Sequence, residues 1–197
     1  MKSSLLNSVL LVGRIILPAI LCSLLVLILD KSHWDYHVIT TFSLIIILFN
    51  YGKTKYNYIL SFFISFVLSC CVLILTLAIQ AGFGYFIQKD FEKKIAFLYN
   101  DIPIKTLFFW FFFTVVSPIL MFYSYRILFR IEKTSYFNYI KCISIFLIII
   151  ACFGLIKSVS NNVDIHTFMA WQFVMALALQ LILYQNELKE MFNKPKN

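Results

Sequence analysis

The residues of this chain most suited to chemistry are its histidines and the aspartates near them. His33 and His37 are four residues apart, a spacing that places two imidazoles on one helix face, where they could hold one metal ion. Asp30 precedes this pair, and Asp164 and His166 form a similar group far along the chain. Three interpretations are open for these five residues: a metal site, a proton-sensing site, or ordinary polarity at a membrane boundary.

A second set of polar residues recurs at helical spacing inside apolar sequence. Its members are Ser61, Ser65, Ser69, Thr76 and Gln80. At 100° per residue these five positions fall within an arc of about 100°. Gln172 and Gln180 share a face of a later segment in the same way. Either set could line a polar path or solute site, or could simply let helices pack closely and bond across the contact.

The composition indicates the environment in which these residues lie. The chain of 197 residues is 61% hydrophobic and 13% charged, which excludes a water-soluble globule. Six stretches are long and apolar enough to predict transmembrane helices. They cover residues 9–29, 34–51, 57–79, 104–125, 139–156 and 166–184. We therefore expect an all-α fold, with residues 1–197 forming a single membrane domain in contact with the lipid bilayer.

The distribution of charge predicts the orientation of these helices. With the N-terminus in the cytoplasm, eleven of the seventeen Lys and Arg residues fall on the cytoplasmic side, with three of the nine Asp and Glu residues. The formal charge of +8 then lies entirely on one face, as expected when basic loops remain inside. The sequence predicts both termini inside, and the short loops favour a bacterial cytoplasmic (inner) membrane.

The segment between the third and fourth predicted spans has a different pattern. Phe91, Ile95 and Leu98 recur at i, i+4 and i+7, with charged residues mostly on the other side of the helical wheel. This predicts an amphipathic helix over residues 85–99, lying at the outer membrane interface. The third span is expected to end near Ile79, so that Gln80 and the following glycines leave the membrane.

Several functional classes find no support in the sequence. The zincin H-E-x-x-H, the nucleophile elbow G-x-S-x-G and the phosphate-binding loop are all absent, so an enzyme is disfavoured and no cofactor is expected. The five cysteines lie in apolar segments, without a C-x-x-C pair. The basic residues are scattered over short loops, where lipid and topology explain them better than nucleic acid does.

The expected function is therefore a non-enzymatic interaction factor of the accessory, immunity or exclusion type. It would recognise another membrane protein, or a second copy of itself, through the serine-bearing helix face and the interfacial helix. The alternative is a small solute carrier or channel-like subunit built from a three-plus-three inverted helix repeat. That alternative predicts a cavity near the middle of the membrane, lined by Gln172, Gln180, Thr114, Ser117 and Thr76.

Overall fold

The computed structural model describes residues 2–29, 34–86, 94–97, 100–103, 111–131, 146 and 165–193. Its α-helices are α1 (Lys2–Leu29), α2 (Trp34–Asn50), α3 (Tyr58–Phe86), α4 (Ser117–Leu128), α5 (Ile165–Leu183) and α6 (Gln185–Asn193). A 3-10 turn, Tyr51–Lys53, follows α2, and a π-helical turn, Phe112–Val116, leads into α4. The other elements are two short strands, β1 (Lys94–Phe97) and β2 (Asn100–Pro103).

The helices pack as a connected series of neighbours. α1 contacts α5 most extensively and also packs on α2, while α3 lies between α2 and α4. The core contains side chains from several of these helices, among them the fully buried Ile46, Phe122, Tyr125, Met175 and Leu179. This arrangement brings the polar face of α3 against α2 and α4, and the glutamines of α5 into the interior.

Two of the described helices are long and apolar enough to cross a bilayer. The qualifying windows are Asn7–Leu25 in α1 and Tyr58–Tyr85 in α3, and 22% of each window is buried within the chain. The prediction of a largely helical chain is confirmed. Six spans stay a prediction, since residues 139–156 lie outside the described residues except for Phe146, which is helical.

The two prolines of the predicted spans are accommodated differently. Pro18 lies within α1 and has no N–H to donate to the carbonyl oxygen of Arg14 one turn earlier. Pro118 is close to the start of α4, directly after the π-helical turn. There the Ser117 N–H bonds to the Phe112 carbonyl oxygen, five residues back. Pro118 has no N–H donor, but it lies in the first turn of α4, directly after this wider turn, and proline is tolerated at a helix start.

The helix of the third predicted span, residues 57–79, extends beyond Ile79. α3 continues through Gln80 and two glycines to Phe86. A glycine inside a helix costs about 1 kcal/mol, which is too little to end a helix in a long uncharged run. At Gly82 an added Cβ atom would meet no other atom within 4 Å, so that position lies in open space.

The predicted interfacial helix over residues 85–99 is wrong at residues 94–97, while residues 87–93 and 98–99 lie outside the described residues. α3 occupies its first two positions, and residues 94–97 form β1, which pairs antiparallel with β2 in the register Lys94↔Pro103 to Phe97↔Asn100. Apolar Ile95 and Phe97 alternate with Lys94 and Ala96 along the chain, so the sequence also has the two-residue period of a strand. Two residues separate the strands, which matches the shortest common hairpin connection. Pro103 would break a helix, but it is tolerated at a strand end.

Candidate functional site

Tyr125 connects three helices through a buried group of hydroxyls, which we call the hydroxyl cluster: Ser43, Ser65, Ser69 and Tyr125. The Tyr125 Oη atom lies 2.8 Å from Ser65 Oγ and 3.0 Å from Ser69 Oγ. Ser43 Oγ on α2 is 3.5 Å from Ser69 Oγ. Since Ser65 and Ser69 are one turn apart on α3, a single phenol from α4 can reach both.

The ring of Tyr125 is held by aromatic neighbours on either side. Phe42 of α2 packs edge-on against it, with ring centroids 6.3 Å apart. Phe129, just after α4, stacks on it at 5.9 Å. Tyr125 is fully buried, so its hydroxyl group depends on the serines for hydrogen bonds. The phenol can donate to one serine while it accepts from the other.

The other predicted members of the serine face bond within their own segment. Ser61 Oγ donates to the Tyr56 carbonyl oxygen at 3.1 Å, and Thr76 Oγ1 donates to the Val72 carbonyl oxygen at 2.7 Å. Gln80 is half-buried, and its Oε1 atom has no partner among the described residues. The structure thus brings Ser65 and Ser69 to a shared partner across the helix contact. This part of the serine face is already covered by the chain itself, so it is not exposed to a second protein.

The two predicted glutamines of α5 lie in the interior. Gln172 is 3% exposed and Gln180 is fully buried. The Oε1 atom of Gln172 and both amide atoms of Gln180 have no hydrogen-bond partner in the described part of the chain. An unpartnered buried amide costs free energy, typically about 1–3 kcal/mol. These positions therefore differ physically from the hydroxyl cluster, where the polar atoms have partners.

The histidine and aspartate group is only partly within the described residues. Asp30, His33 and Asp164 lie outside them, while His37 and His166 fall within helices α2 and α5, at positions where the structure describes the backbone alone. The hypothesis of a metal or proton-sensing site there stays a prediction. Among the side chains that the structure does describe, no group of three His, Cys, Asp or Glu residues is arranged to hold a metal ion.

A second polar centre, missed by the sequence analysis, surrounds Lys53 at the end of the 3-10 turn. Its Nζ atom donates to the Leu183 carbonyl oxygen at 2.6 Å and contacts Glu187 Oε1 at 2.5 Å. It also lies 4.1 Å from the centroid of the Tyr184 ring. Lys53 thus places a positive charge at the C-terminal end of α5, where carbonyl oxygens lack helical donors. The same charge pairs with a carboxylate in the first turn of α6.

The backbone around Lys53 is fixed by a short strand-like contact. Thr54 forms an isolated antiparallel bridge with Phe129. The Lys55 N–H donates to the Leu128 carbonyl oxygen at 2.9 Å, and the Arg130 N–H donates to the Lys53 carbonyl oxygen at 3.1 Å. The chain after α2 and the chain after α4 are therefore joined, and both lie beside the start of α6.

A cavity of about 260 Å³ lies at this junction, and we call it the α5–α6 cavity. It is lined by Lys53, Arg130, Ile131, Ile182, Leu183, Gln185, Asn186, Glu187 and Glu190. The lining has cations and carboxylates together with three apolar side chains. Gln185 is 3% exposed, and its Oε1 atom has no partner among the described residues. The sequence analysis could not identify this cavity, because its lining comes from three segments that are far apart in the sequence: Lys53, residues 130–131 and residues 182–190.

The possible function of the chain is inferred from its geometry, because comparisons with known proteins give no match. No protein-family model, curated protein or solved structure matches the chain. The arrangement of described residues therefore offers two places of interest: the hydroxyl cluster, which holds helices together, and the α5–α6 cavity, which could receive a ligand.

The hydroxyl cluster can be tested with Tyr125→Phe, which removes the phenol hydroxyl and its bonds to Ser65 and Ser69. We expect the free energy of unfolding to fall by roughly 0.5–2 kcal/mol, because two buried serines lose their shared partner. Denaturant titration of the purified chain in mixed micelles measures this change. Tyr123→Phe is the matched control, since Tyr123 lies on the same helix and is 40% exposed. Equal losses in the two variants would contradict a special role for the cluster.

The role of Lys53 can be tested with Lys53→Met, which keeps most of the side-chain length and removes the charge. We expect about tenfold faster amide hydrogen exchange in α6, because α6 loses its ion pair and the ammonium contact with Tyr184. Lys55→Met is the control, since the Lys55 ammonium bonds instead to the Arg126 carbonyl oxygen at 2.6 Å. Unchanged exchange in Lys53→Met would show that this contact does not hold α6 in place.

Proposed function

We propose that this chain is a multi-pass integral membrane protein that acts as a non-enzymatic interaction factor for another membrane component. The proposed topology has six spans and both termini in the cytoplasm of a bacterial cell, with the chain in its cytoplasmic membrane. The observation that carries the proposal is the surface of α3, where a polar face and an exposed apolar face lie on opposite sides of one helix.

The apolar face of α3 consists of Ile59, Phe63, Val67 and Ile74, with exposures of 69%, 58%, 54% and 66%. At 100° per residue these four positions fall within an arc of about 80°, roughly opposite the buried serines. A continuous apolar surface of this kind is unfavourable in water and marks contact with lipid or with a protein partner. We call these four residues the α3 apolar face.

The length of α3 supports insertion in a bilayer. Its apolar window of 28 residues corresponds to about 42 Å at 1.5 Å per residue, more than the roughly 30 Å hydrocarbon core. α1 adds a second exposed apolar surface, in which Val9, Leu10 and Ile28 are each more than half exposed. Both exposed apolar surfaces favour a location in the bilayer, where the α1 surface is proposed to contact lipid.

An interaction role is favoured over a carrier by where the polar residues lie. The carrier hypothesis expects Gln172, Gln180, Thr114, Ser117 and Thr76 to line an open cavity. All five are buried, and none of them lines the α5–α6 cavity. The partner surface is therefore proposed on the α3 apolar face rather than on the serine face, which packs against α4.

Membrane insertion and orientation can be tested by cysteine labelling in a variant whose five native cysteines are replaced. We expect Ser32→Cys and Ser160→Cys to react with an impermeant maleimide in spheroplasts, and Gly52→Cys to react only after permeabilisation. Gly52 is suitable because it is exposed and an added Cβ atom would meet nothing within 4 Å. The reverse pattern would overturn the orientation, and extraction of the chain by alkaline carbonate would overturn membrane insertion.

The partner surface can be tested by photo-crosslinking in living cells. A benzoylphenylalanine residue at Phe63 or Val67 should give the same discrete adduct, because both positions lie on the α3 apolar face. The control is the same residue at Leu17 of α1, which is 45% exposed and expected to face lipid. An adduct of twice the chain mass would identify self-association. Equal adducts at all three positions, or none at Phe63 and Val67, would contradict a partner on this face.

A further inference from the structure

The charged side chains that the structure describes lie at one end of the helix bundle. Six are cations and two are carboxylates: Arg14, Lys53, Lys55, Arg126, Arg130 and Lys189, with Glu187 and Glu190. The chain after α2 meets the chain after α4 at this end, and Lys53 pairs there with Glu187 of α6. The Arg14 guanidinium of α1 acts electrostatically on the Tyr184 phenol at the junction of α5 and α6. Positive charge is therefore in excess at this end of the described chain.

Lys55 and Arg130 are the two cations best placed to meet an external anion. Both are exposed, and each directly follows a buried residue of the bridge between Thr54 and Phe129. Side chains alternate between the two sides of an extended backbone, so Lys55 and Arg130 are directed away from that buried pair. The Lys55 ammonium donates to the Arg126 carbonyl oxygen at 2.6 Å, which holds it in place and leaves two of its three N–H donors for a ligand.

The described carboxylates compensate only part of the positive charge. Glu187 already pairs with Lys53. Glu190 lines the α5–α6 cavity together with Arg130, whereas Lys55 does not line that cavity. An anion placed between Lys55 and Arg130 therefore meets more attraction than repulsion from the described side chains.

Exposed aromatic and aliphatic side chains border these two cations. Tyr51 and Tyr56 are exposed beside Lys55 in the chain, and exposed Leu60 and Ile127 follow on α3 and α4. The order from cation to tyrosine to aliphatic side chain matches the layers of a membrane surface, from headgroup to hydrocarbon. A nucleic acid or a soluble acidic protein would leave Leu60 and Ile127 in water, whereas a phospholipid covers both kinds of surface. We call the following residues the basic rim: Tyr51, Lys55, Tyr56 and Arg130.

We propose that the basic rim binds an anionic phospholipid. The phosphate contacts the Lys55 ammonium and the Arg130 guanidinium, and the acyl chains lie on the apolar surface that begins at Leu60 and Ile127. A lipid with a net negative charge is preferred over a zwitterionic lipid, because the same two side chains repel the cation of a zwitterionic headgroup. This inference rests on the proposed membrane location, since the rim meets lipid only when α3 and α4 are inserted in a bilayer.

The test measures which lipid lies beside the rim in vesicles. The full-length chain, with its five native cysteines replaced, carries a fluorophore on Gly52→Cys. Gly52 is exposed, three residues from Lys55, and an added Cβ atom there meets nothing within 4 Å. The quenchers are phosphatidylglycerol and phosphatidylcholine, each with a nitroxide at carbon 5 of one acyl chain, in vesicles of unlabelled phosphatidylcholine. We expect half-maximal quenching at an about fivefold lower mole fraction of the phosphatidylglycerol, and a smaller difference in 1 M salt.

Variants assign the preference to the basic rim. The double variant Lys55→Gln, Arg130→Gln should quench about equally with both lipids, because the two cations that contact the phosphate are gone. Lys55→Arg should keep the preference, since it keeps the charge and a hydrogen-bond donor. Lys94→Gln is the matched control, because it removes the same charge from β1, which follows the opposite end of α3 in the chain.

Three results would overturn the proposal, and they differ in what they say about the proposed function. Equal quenching by the two lipids in the unmodified rim would remove the lipid preference and leave membrane insertion intact. An undiminished preference in the double variant, or an equal loss in Lys94→Gln, would show that the preference arises elsewhere on the chain. Absence of quenching by either lipid, together with extraction of the chain by alkaline carbonate, would overturn membrane insertion as well.

Discussion

The hydrogen bonds between Tyr125 and the serines of α3 fix the arrangement on which the other surfaces depend. A fully buried phenol hydroxyl requires polar partners, and the only α3 rotation that supplies Ser65 and Ser69 together turns their face toward α4. Ile59 and Phe63 are then turned to the opposite side, where they are exposed. The polar contact therefore determines which apolar surface of α3 is presented outward.

A second constraint acts at the end of the bundle. The C-terminal carbonyl oxygens of α5 need donors, and the Lys53 ammonium supplies one at Leu183. The same ammonium pairs with Glu187, so a single side chain joins the segment after α2 to both α5 and α6. Because Thr54 also bridges to Phe129, the segment after α4 is brought to the same place. Arg130 and Gln185 become neighbours of one cavity through these contacts.

The features that could be predicted from the sequence are those that depend on the spacing of residues within one helix. The four-residue spacing of Ser65 and Ser69 was sufficient to place them on one helix face, which the structure buries. The same method was wrong for residues 94–97, because Ile95 fits both a helical and an alternating pattern over so short a stretch. α3 itself continues past Ile79 and Gly82 to Phe86, because a glycine costs too little to end a long apolar helix.

Contacts between segments that are far apart in the sequence could not be predicted from the sequence. Nothing in the local pattern around Lys53 indicates Glu187, which lies 134 residues away. Tyr125 is fully buried, because the serines of α3 supply the hydrogen bonds that water would otherwise make. Predicting that outcome requires knowing which helix packs beside α4.

The buried polar side chains of the described residues fall into two groups, those with hydrogen-bond partners and those without. In the hydroxyl cluster each oxygen has a partner, as expected for a contact whose role is to hold helices together. The glutamines of α5 and α6 have buried amide atoms that lack partners among the described residues. A buried polar atom without a partner disfavours folding unless another molecule supplies the missing bond. Gln185 lines the α5–α6 cavity, but its Oε1 atom has less than 1 Å² of accessible surface, so the cost of this buried amide is borne by the fold itself.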